Sequence, residues 1–262
     1  MLKTFLARLK MGKRTFPFPE KAPPMPDRFR GLPEIDRAKC QTGCRACAAA
    51  CPTGAVEGCG ASLSLDLGRC LFCAECAEAC PQNAIRFTGD FRLATRTREA
   101  LSLEEGRTLA LAAALEEKSR RLFGRSLKLR QVSAGGCNGC EADVSVLQTL
   151  VFDLGRFGIQ FVASPRHADG LLVTGTVPLN MRLALRKTYE AIPSPRLVIA
   201  AGACAISGGP FAGIPEAREG VAPDLPVDLF IPGCPPHPWT TLDGLLRLLG
   251  RIEGERSAAG KA

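Results

Sequence analysis

Thirteen cysteines in 262 residues constrain this chain more than any other feature. Twelve of them sort into three sets of four. One run is Cys40, Cys44, Cys47 and Cys51-Pro52. A second is Cys70, Cys73, Cys76 and Cys80-Pro81. The third set is scattered: Cys137, Cys140, Cys204 and Cys234. Cys59 is left over. A [4Fe–4S] cluster takes four thiolates, so twelve cysteines suit three clusters. Residues Met1–Lys10 alternate Lys3, Arg8 and Lys10 with Leu2, Phe5, Leu6 and Leu9, and have neither the apolar core nor the cleavage site of a secretory signal. No uninterrupted apolar stretch approaches the roughly 18 residues of a membrane span. Without a signal, so many cysteines imply reduced, metal-bound thiols rather than disulfides, and a cytoplasmic location is expected.

Spacing assigns the first eight. Closely spaced cysteines wrap three corners of a cluster, and a distant one supplies the fourth. In two-cluster ferredoxins the fourth cysteine of each run ligates the other cluster. The expected sets are therefore Cys40, Cys44, Cys47 and Cys80 for one cluster, and Cys70, Cys73, Cys76 and Cys51 for the other. Pro52 and Pro81 fix the turn and hold the preceding cysteine extended. The second run follows the bacterial ferredoxin pattern throughout; the first has three residues rather than two between Cys40 and Cys44. A pair of zinc sites is the rival reading, and eight cysteines in two Cys-Pro-terminated runs argue against it. Cys59 reads as a free cysteine rather than a substitute ligand. The halves repeat, Cys44-Arg-Ala-Cys47-Ala-Ala-Ala-Cys51-Pro against Cys73-Ala-Glu-Cys76-Ala-Glu-Ala-Cys80-Pro, which predicts a pseudo-symmetric pair of units.

The chain divides by composition into a basic, proline-rich arm (1–36), a small α+β two-cluster ferredoxin domain (37–95), a helical connector (96–126), a flavodoxin-like α/β domain (127–252) and a flexible tail (253–262). Six prolines in residues 15–36 predict an extended arm. Residues 1–39 hold ten Lys/Arg against four acids, which accounts for most of the net charge of +8. Such an arm suits an anionic membrane face or an acidic partner; no recognition motif points to nucleic acid. In the connector, Ser102 and Glu105 form a capping-box pattern. Leu109, Leu111, Ala112, Leu115, Leu122 and Phe123 supply an apolar helix face, and Gly124 a stop.

From Leu127 onward strands are expected near 127–132, 159–162, 171–173, 196–200 and 229–231. Helices are expected near 141–154, 179–192 and 239–249, the first with Val144, Leu147, Leu150 and Val151 on its apolar side. Alternating strands and helices imply a parallel, doubly wound sheet with functional groups at the strands' carboxyl ends. Cys137, Cys204 and Cys234 each follow an expected strand by two to five residues. Glycines at Gly135-Gly136-Cys137 and Gly202-Ala203-Cys204 allow backbone to crowd a cofactor.

These stretches carry a resemblance. GGCNGCEADV (135–144), SPRHADGLLVTGTV (164–177), GAC (202–204) and PGCPPHP (232–238) resemble the small subunit of energy-converting [NiFe] hydrogenases of the formate hydrogenlyase type, homologous to the 20-kDa subunit of respiratory complex I. Complex I subunits carry adjacent cysteines where this chain has Cys137-x-x-Cys140. Residues 1–95, with PDRFRGLPEID before the first cysteine, resemble the ferredoxin subunit of the same complexes. The resemblance implies a fusion of two normally separate subunits. Cys137, Cys140, Cys204 and Cys234 would then bind a proximal [4Fe–4S] cluster facing a nickel–iron large subunit, and the ferredoxin clusters would relay electrons to it. The implied partners are that large subunit, membrane-integral subunits on the inner face of the cell membrane, and a donor such as a formate dehydrogenase or a soluble ferredoxin. No complete active site is expected on this chain. The alternative is the same wire in a nickel-free or complex I-like oxidoreductase. Glu141 is a candidate proton relay or simply a helix-N-terminal acid. His167 and His237 are weak ligand candidates, and Asp143 and Arg166 candidate partner contacts. Trp239 and Tyr189 read as packing.

Overall fold

The computed structural model describes residues 2–104, 108–217 and 219–252. The expected tail at 253–262, and Glu105 of the expected capping box, lie outside the described residues. Among the described residues no helix is long and apolar enough to cross a membrane.

Helix α1 (Leu2–Met11) buries none of its residues. The proline-rich segment after it, expected to be extended, turns at Phe18–Glu20 and Asp27–Arg28, where the Lys21 and Phe29 amides donate to the Pro17 and Pro26 carbonyls, before strand β1 (Pro33–Ile35). Short helix α2 (Ala46–Ala50), strands β2 (Val56–Glu57) and β3 (Ser64–Asp66), helix α3 (Glu75–Glu78) and strand β4 (Ile85–Phe87) follow. β1 and β4 pair antiparallel, with Ile35 opposite Ile85. β3 lies between β2 and strand β5 (Ser102–Leu103). The two short helices pack on each other as the repeat expects.

The connector departs from the expected long helix. Ser102 and Leu103 pair with Asp66 and Leu65 as β5, completing the small sheet. Farther on, the Ala112 amide donates to the Ala94 carbonyl and the Leu115 amide to that of Leu248. Among the described residues of the connector the only α-helix is α4 (Glu117–Phe123). Leu101, Leu103, Ala112 and Leu115 are all buried, so tertiary burial and remote amide partners override a local helix pattern.

Strand β6 (Leu127–Ser133) starts the large sheet. Helix α5 (Gly139–Val146), β7 (Ile159–Phe161), β8 (Gly170–Thr174), α6 (Leu179–Glu190), β9 (Leu197–Ala201), α7 (Ala203–Ser207), β10 (Leu229–Ile231) and α8 (Pro238–Leu248) complete it. The strands are all parallel in the order β10-β9-β8-β6-β7. Counted within the sheet this is 2-1-3-4-5, the flavodoxin-like order, whose switch point lies between the first and third strands. β8 and β9 are buried at every position, the run of apolar residues a doubly covered parallel strand requires. α5 stops at Val146, short of the expected Leu154. Leu150 and Val151, expected on its apolar side, are exposed.

The two halves share their interior. One buried cluster contains Leu65, Leu67 and Leu101 together with Val132, Leu171 and Val198. Thr95 and Phe230 exchange backbone hydrogen bonds of 3.0 and 2.9 Å at the edge of β10. The Ser207 hydroxyl donates to the Gly68 carbonyl at 2.9 Å. The proline-rich segment acts as a strap. Phe16 and Phe18 stand edge-on and tilted against Trp239, with ring centroids 5.3 and 5.2 Å away. Arg156 donates to the carbonyls of both phenylalanines.

Candidate functional site

Cys40, Cys44, Cys47 and Cys80 line one pocket together with Leu63 and Ile85. The extra residue before Cys44 is absorbed in a turn: Gly43 takes φ +82° and the Cys44 amide donates to the Gln41 carbonyl. A second pocket is lined by Cys51, Cys70, Cys73 and Cys76, with Val56 and Phe87. The fourth cysteine of each run therefore faces the other run's pocket. α2 and α3 make this crossing possible. Each carries one buried cysteine, Cys47 or Cys76, and ends one or two residues before Cys51-Pro52 or Cys80-Pro81.

Backbone amides point at these sulfurs. Gly60 donates to Cys40 at 3.1 Å, Ala55 to Cys51 at 3.2 Å, and Phe72 and Ala84 to Cys70 and Cys80 at 3.3 Å each. Amides aimed at sulfur stabilise thiolates and tune a bound cluster. Burial works against ionisation of Cys70 and Cys76. Burial, then the neighbouring Cys76, Cys51 and Cys73, push the Cys70 thiol up to about 12. Burial, then Cys51 and Cys73 of its own pocket and Cys47 of the next, push Cys76 to about 11. Cys51 runs the other way: burial opposes its ionisation, but donors at Thr53 and Ala55 outweigh it and hold the thiol below its ordinary value.

The third set gathers at the carboxyl ends of β6, β9 and β10, at and beside the switch point. Burial, then the charge of Glu141 and the thiols of Cys204, Cys234 and Cys137, push Cys140 up to about 12. Burial, then Cys234 and Cys137, push Cys204 to about 11. Gly202 makes the approach possible. At φ +93° a Cβ there would stand 2.6 Å from the Cys140 sulfur, so only glycine fits. The Gly202 and Ala203 amides donate to the Ile231 and Gly233 carbonyls, locking the loop after β9 to the one after β10. Cys137 and Cys234 are exposed, which opens this group to the surface. Burial, then Cys137 and Cys73, raise Cys234, so Cys73 of the second pocket stands beside the third group.

A soft, all-thiol donor set fits an iron–sulfur cluster. Among the described residues, no three His, Cys, Asp or Glu side chains converge where one metal ion would sit. Eight of the sulfurs instead line two pockets in sets of four, the ligand number of a [4Fe–4S] cluster.

The remaining candidates separate. Glu141 sits in the first turn of α5. Burial opposes its ionisation, but the Ser133 and Thr174 hydroxyls, each donating to Oε1 at 2.6 Å, hold its carboxyl below the usual range. Its Oε2 is buried with no hydrogen-bond partner among the described residues. His237 caps α8: its Nδ1 accepts from the Trp239 amide at 3.2 Å and burial keeps it neutral. His167 and Arg166 lie exposed on the loop entering β8, whose Asp169 bonds Lys128 at the amino end of the sheet, opposite the cysteines. Asp143 lines a groove with Arg28, Arg30 and Cys234. Trp239 packs among Phe16, Phe18 and Phe152, and Tyr189 under Arg196. Sequence reasoning missed the sulfur-directed amides and the strap aromatics. The glycines flanking Cys59 were the available signal for the former.

Residues 137–248 match the family described as NADH ubiquinone oxidoreductase, 20 Kd subunit, and residues 32–56 and 63–86 each match a 4Fe-4S binding domain. Each match contains four of the cysteines, and Cys59 falls in none. Formate hydrogenlyase subunit 7 of Escherichia coli (strain K12) is 40% identical over 148 residues, 56% of this chain and 58% of its own length. A probable membrane-bound hydrogenase subunit of Pyrococcus furiosus is 40% identical over 132 residues, covering 50% of this chain and 79% of the relative. A subunit of the NADH-quinone oxidoreductase of Citrifermentans bemidjiense is 43% identical over 123 residues, 47% and 72% respectively. The chain thus spans less than two thirds of the first relative and more of the other two.

Proposed function

Since the chain belongs to the family of the 20-kDa NADH ubiquinone oxidoreductase subunit and carries two 4Fe-4S ferredoxin motifs as well, we propose that it is the electron-wiring subunit of a membrane-associated hydrogenase-type complex. It would hold three [4Fe–4S] clusters: one on Cys40, Cys44, Cys47 and Cys80, one on Cys51, Cys70, Cys73 and Cys76, and one on Cys137, Cys140, Cys204 and Cys234. Bound clusters would supply one-electron relay. The chain's own residues order the sites, space them and insulate them. Residues 37–95 are proposed as the ferredoxin unit and 127–252 as the unit that meets the large subunit, on the inner face of the cell membrane. Glu141 would position the loop before α5, and any proton it carried would use Oε2, the oxygen without a partner.

The observation that carries this reading is the serial adjacency of the three thiol groups. Cys47 on α2 and Cys76 on α3 lie in one buried cluster where the two helices pack, and Leu71 and Phe72, next to Cys73, line one groove with Cys234. The third group alone has two exposed cysteines, the arrangement expected at the end of a relay that faces a partner. Exposed apolar residues near that end, Leu179 and Leu183 of α6 with Phe211 and Ile214, suit a protein interface. The Leu179 amide donates a hydrogen bond to the Glu216 carbonyl, which joins the two parts of this patch. The test is anaerobic reconstitution with iron and sulfide assay. About twelve of each per chain are expected. A plateau near eight removes one site, and stoichiometric zinc with little iron overturns the reading.

The likeness to the NADH-quinone oxidoreductase relative sustains a second reading, the same wire serving a nickel-free large subunit. Nickel analysis of the native complex separates the two.

A further inference from the structure

Helix α1 buries none of its residues. Leu2, Phe5, Leu6 and Leu9 are 72, 60, 54 and 64% exposed. At 3.6 residues per turn these four positions, spaced i, i+3, i+4 and i+7, fall within an arc of roughly 100°. Lys3 and Lys10 border that arc on one side and Arg8 on the other. Residues 1–14 hold five cations (Lys3, Arg8, Lys10, Lys13 and Arg14) and no acid; Glu20 is the first acidic residue of the chain. A ten-residue helix with an apolar stripe is marginal alone in water. The stripe needs a surface, and the surface must accept cations on both of its edges.

A second apolar feature lies beside it. Leu150 and Val151 are 75 and 46% exposed, and the Phe16 amide donates to the Val151 carbonyl at 3.0 Å. Four residues, 12–15, separate Met11 from Phe16, a reach of at most about 18 Å. Arg156 pins the Phe16 and Phe18 carbonyls at the same corner. The helix is thus tethered next to an exposed leucine and valine, on one side of the molecule, and the tether carries Lys13 and Arg14.

We propose that α1, together with the Leu150–Val151 corner, binds the headgroup layer of an anionic lipid leaflet. The helix lies in the plane of the interface: its leucines and Phe5 enter the boundary of the acyl chains, and Lys3, Arg8 and Lys10 extend to lipid phosphates. Charge complementarity favours this occupant. A protein groove would have to pair one narrow apolar slot with acids along both rims, whereas an anionic leaflet supplies negative charge everywhere around the inserted stripe. The proposal uses no cysteine, so it stands or falls apart from the cluster assignment.

The experiment is co-sedimentation of the iron-loaded full chain with vesicles of phosphatidylcholine alone and of phosphatidylcholine mixed with phosphatidylglycerol. Binding to the mixed vesicles only, weakening as salt rises, is expected. Leu6→Glu and the pair Lys3→Glu with Lys10→Glu should each lower the partition coefficient by about tenfold or more, and Leu150→Ser by a few-fold. All of these side chains are exposed, and iron content unchanged from the parent chain shows that the variants are folded. Phe5→Trp adds a fluorophore that shifts to the blue when the stripe inserts. Absence of binding to anionic vesicles overturns the proposal and returns α1 to a protein partner. Full binding by Leu6→Glu, or no blue shift at Phe5→Trp, overturns it as well, because adsorption would then be by charge alone.

Discussion

The N-terminal thiol pockets and the strand-end thiol group are built in opposite ways. The first two draw every sulfur from residues 40–80, use two short helices and their Cys-Pro turns, and bury Cys47, Cys70 and Cys76. The third draws its sulfurs from the ends of three different strands, and leaves Cys137 and Cys234 exposed. Local construction makes closed pockets, and construction by tertiary structure leaves a thiol group open at the surface. The cost of the second is dependence: four sulfurs meet there only if the whole sheet is in register.

The largest effect that tests this contrast is loss of one corner. Cys204→Ala should remove about four irons and abolish electron delivery to the large subunit, while both ferredoxin clusters remain reducible. Cys76→Ala should do the reverse, and paramagnetic resonance spectra of the two variants should be complementary. If Cys204→Ala erased the ferredoxin signals with the fold intact, the division between the two kinds of site would fail. Gly202→Ala sharpens the contrast without touching a ligand. Its Cβ would collide with the Cys140 sulfur, so iron should fall to about eight per chain, with the missing signal that of the strand-end site. Next in size is Trp239→Ala. It removes the ring on which Phe16, Phe18 and Phe152 rest, and should cost about 3–5 kcal/mol in denaturant unfolding. The strand-end site should lose iron before the local pockets do; simultaneous loss would show that the two regions are not separately held. The smallest effect belongs to Cys59→Ser, which should leave iron content and transfer rate unchanged. Loss of about four irons would mean that the loop donating the Gly60 amide to Cys40 also supplies a ligand.

The crossed grouping of the first eight thiols was legible because cysteine spacing and Cys-Pro turns are local geometry. The strands were legible because doubly buried β-strands write themselves as apolar runs. Sequence reasoning failed where a remote partner decides. Ser102 begins a pattern that fits a helix cap, yet Leu103 lies opposite Leu65 in a ladder. Leu150 and Val151 continue the apolar period of α5, but the helix ends at Val146 and leaves them outside. Nothing around Phe16 or Phe18 announces that both rest on Trp239, more than two hundred residues away.

That last contact sets the order in which the molecule can be finished. The strap leaves the ribosome more than two hundred residues ahead of the helix it grips, α8. Until Trp239 is made, Phe16 and Phe18 have no face to rest on, Thr95 has no Phe230 strand edge to join, and the inner surface of β9 and β10 has no α8 to cover it. Contacts of such long sequence separation form late. The cysteine runs at 40–80 emerge early and need only their own turns, so metal can reach them while the strand-end site does not yet exist. The thiol groups therefore form in sequence, the two at residues 40–80 first and the strand-end group last.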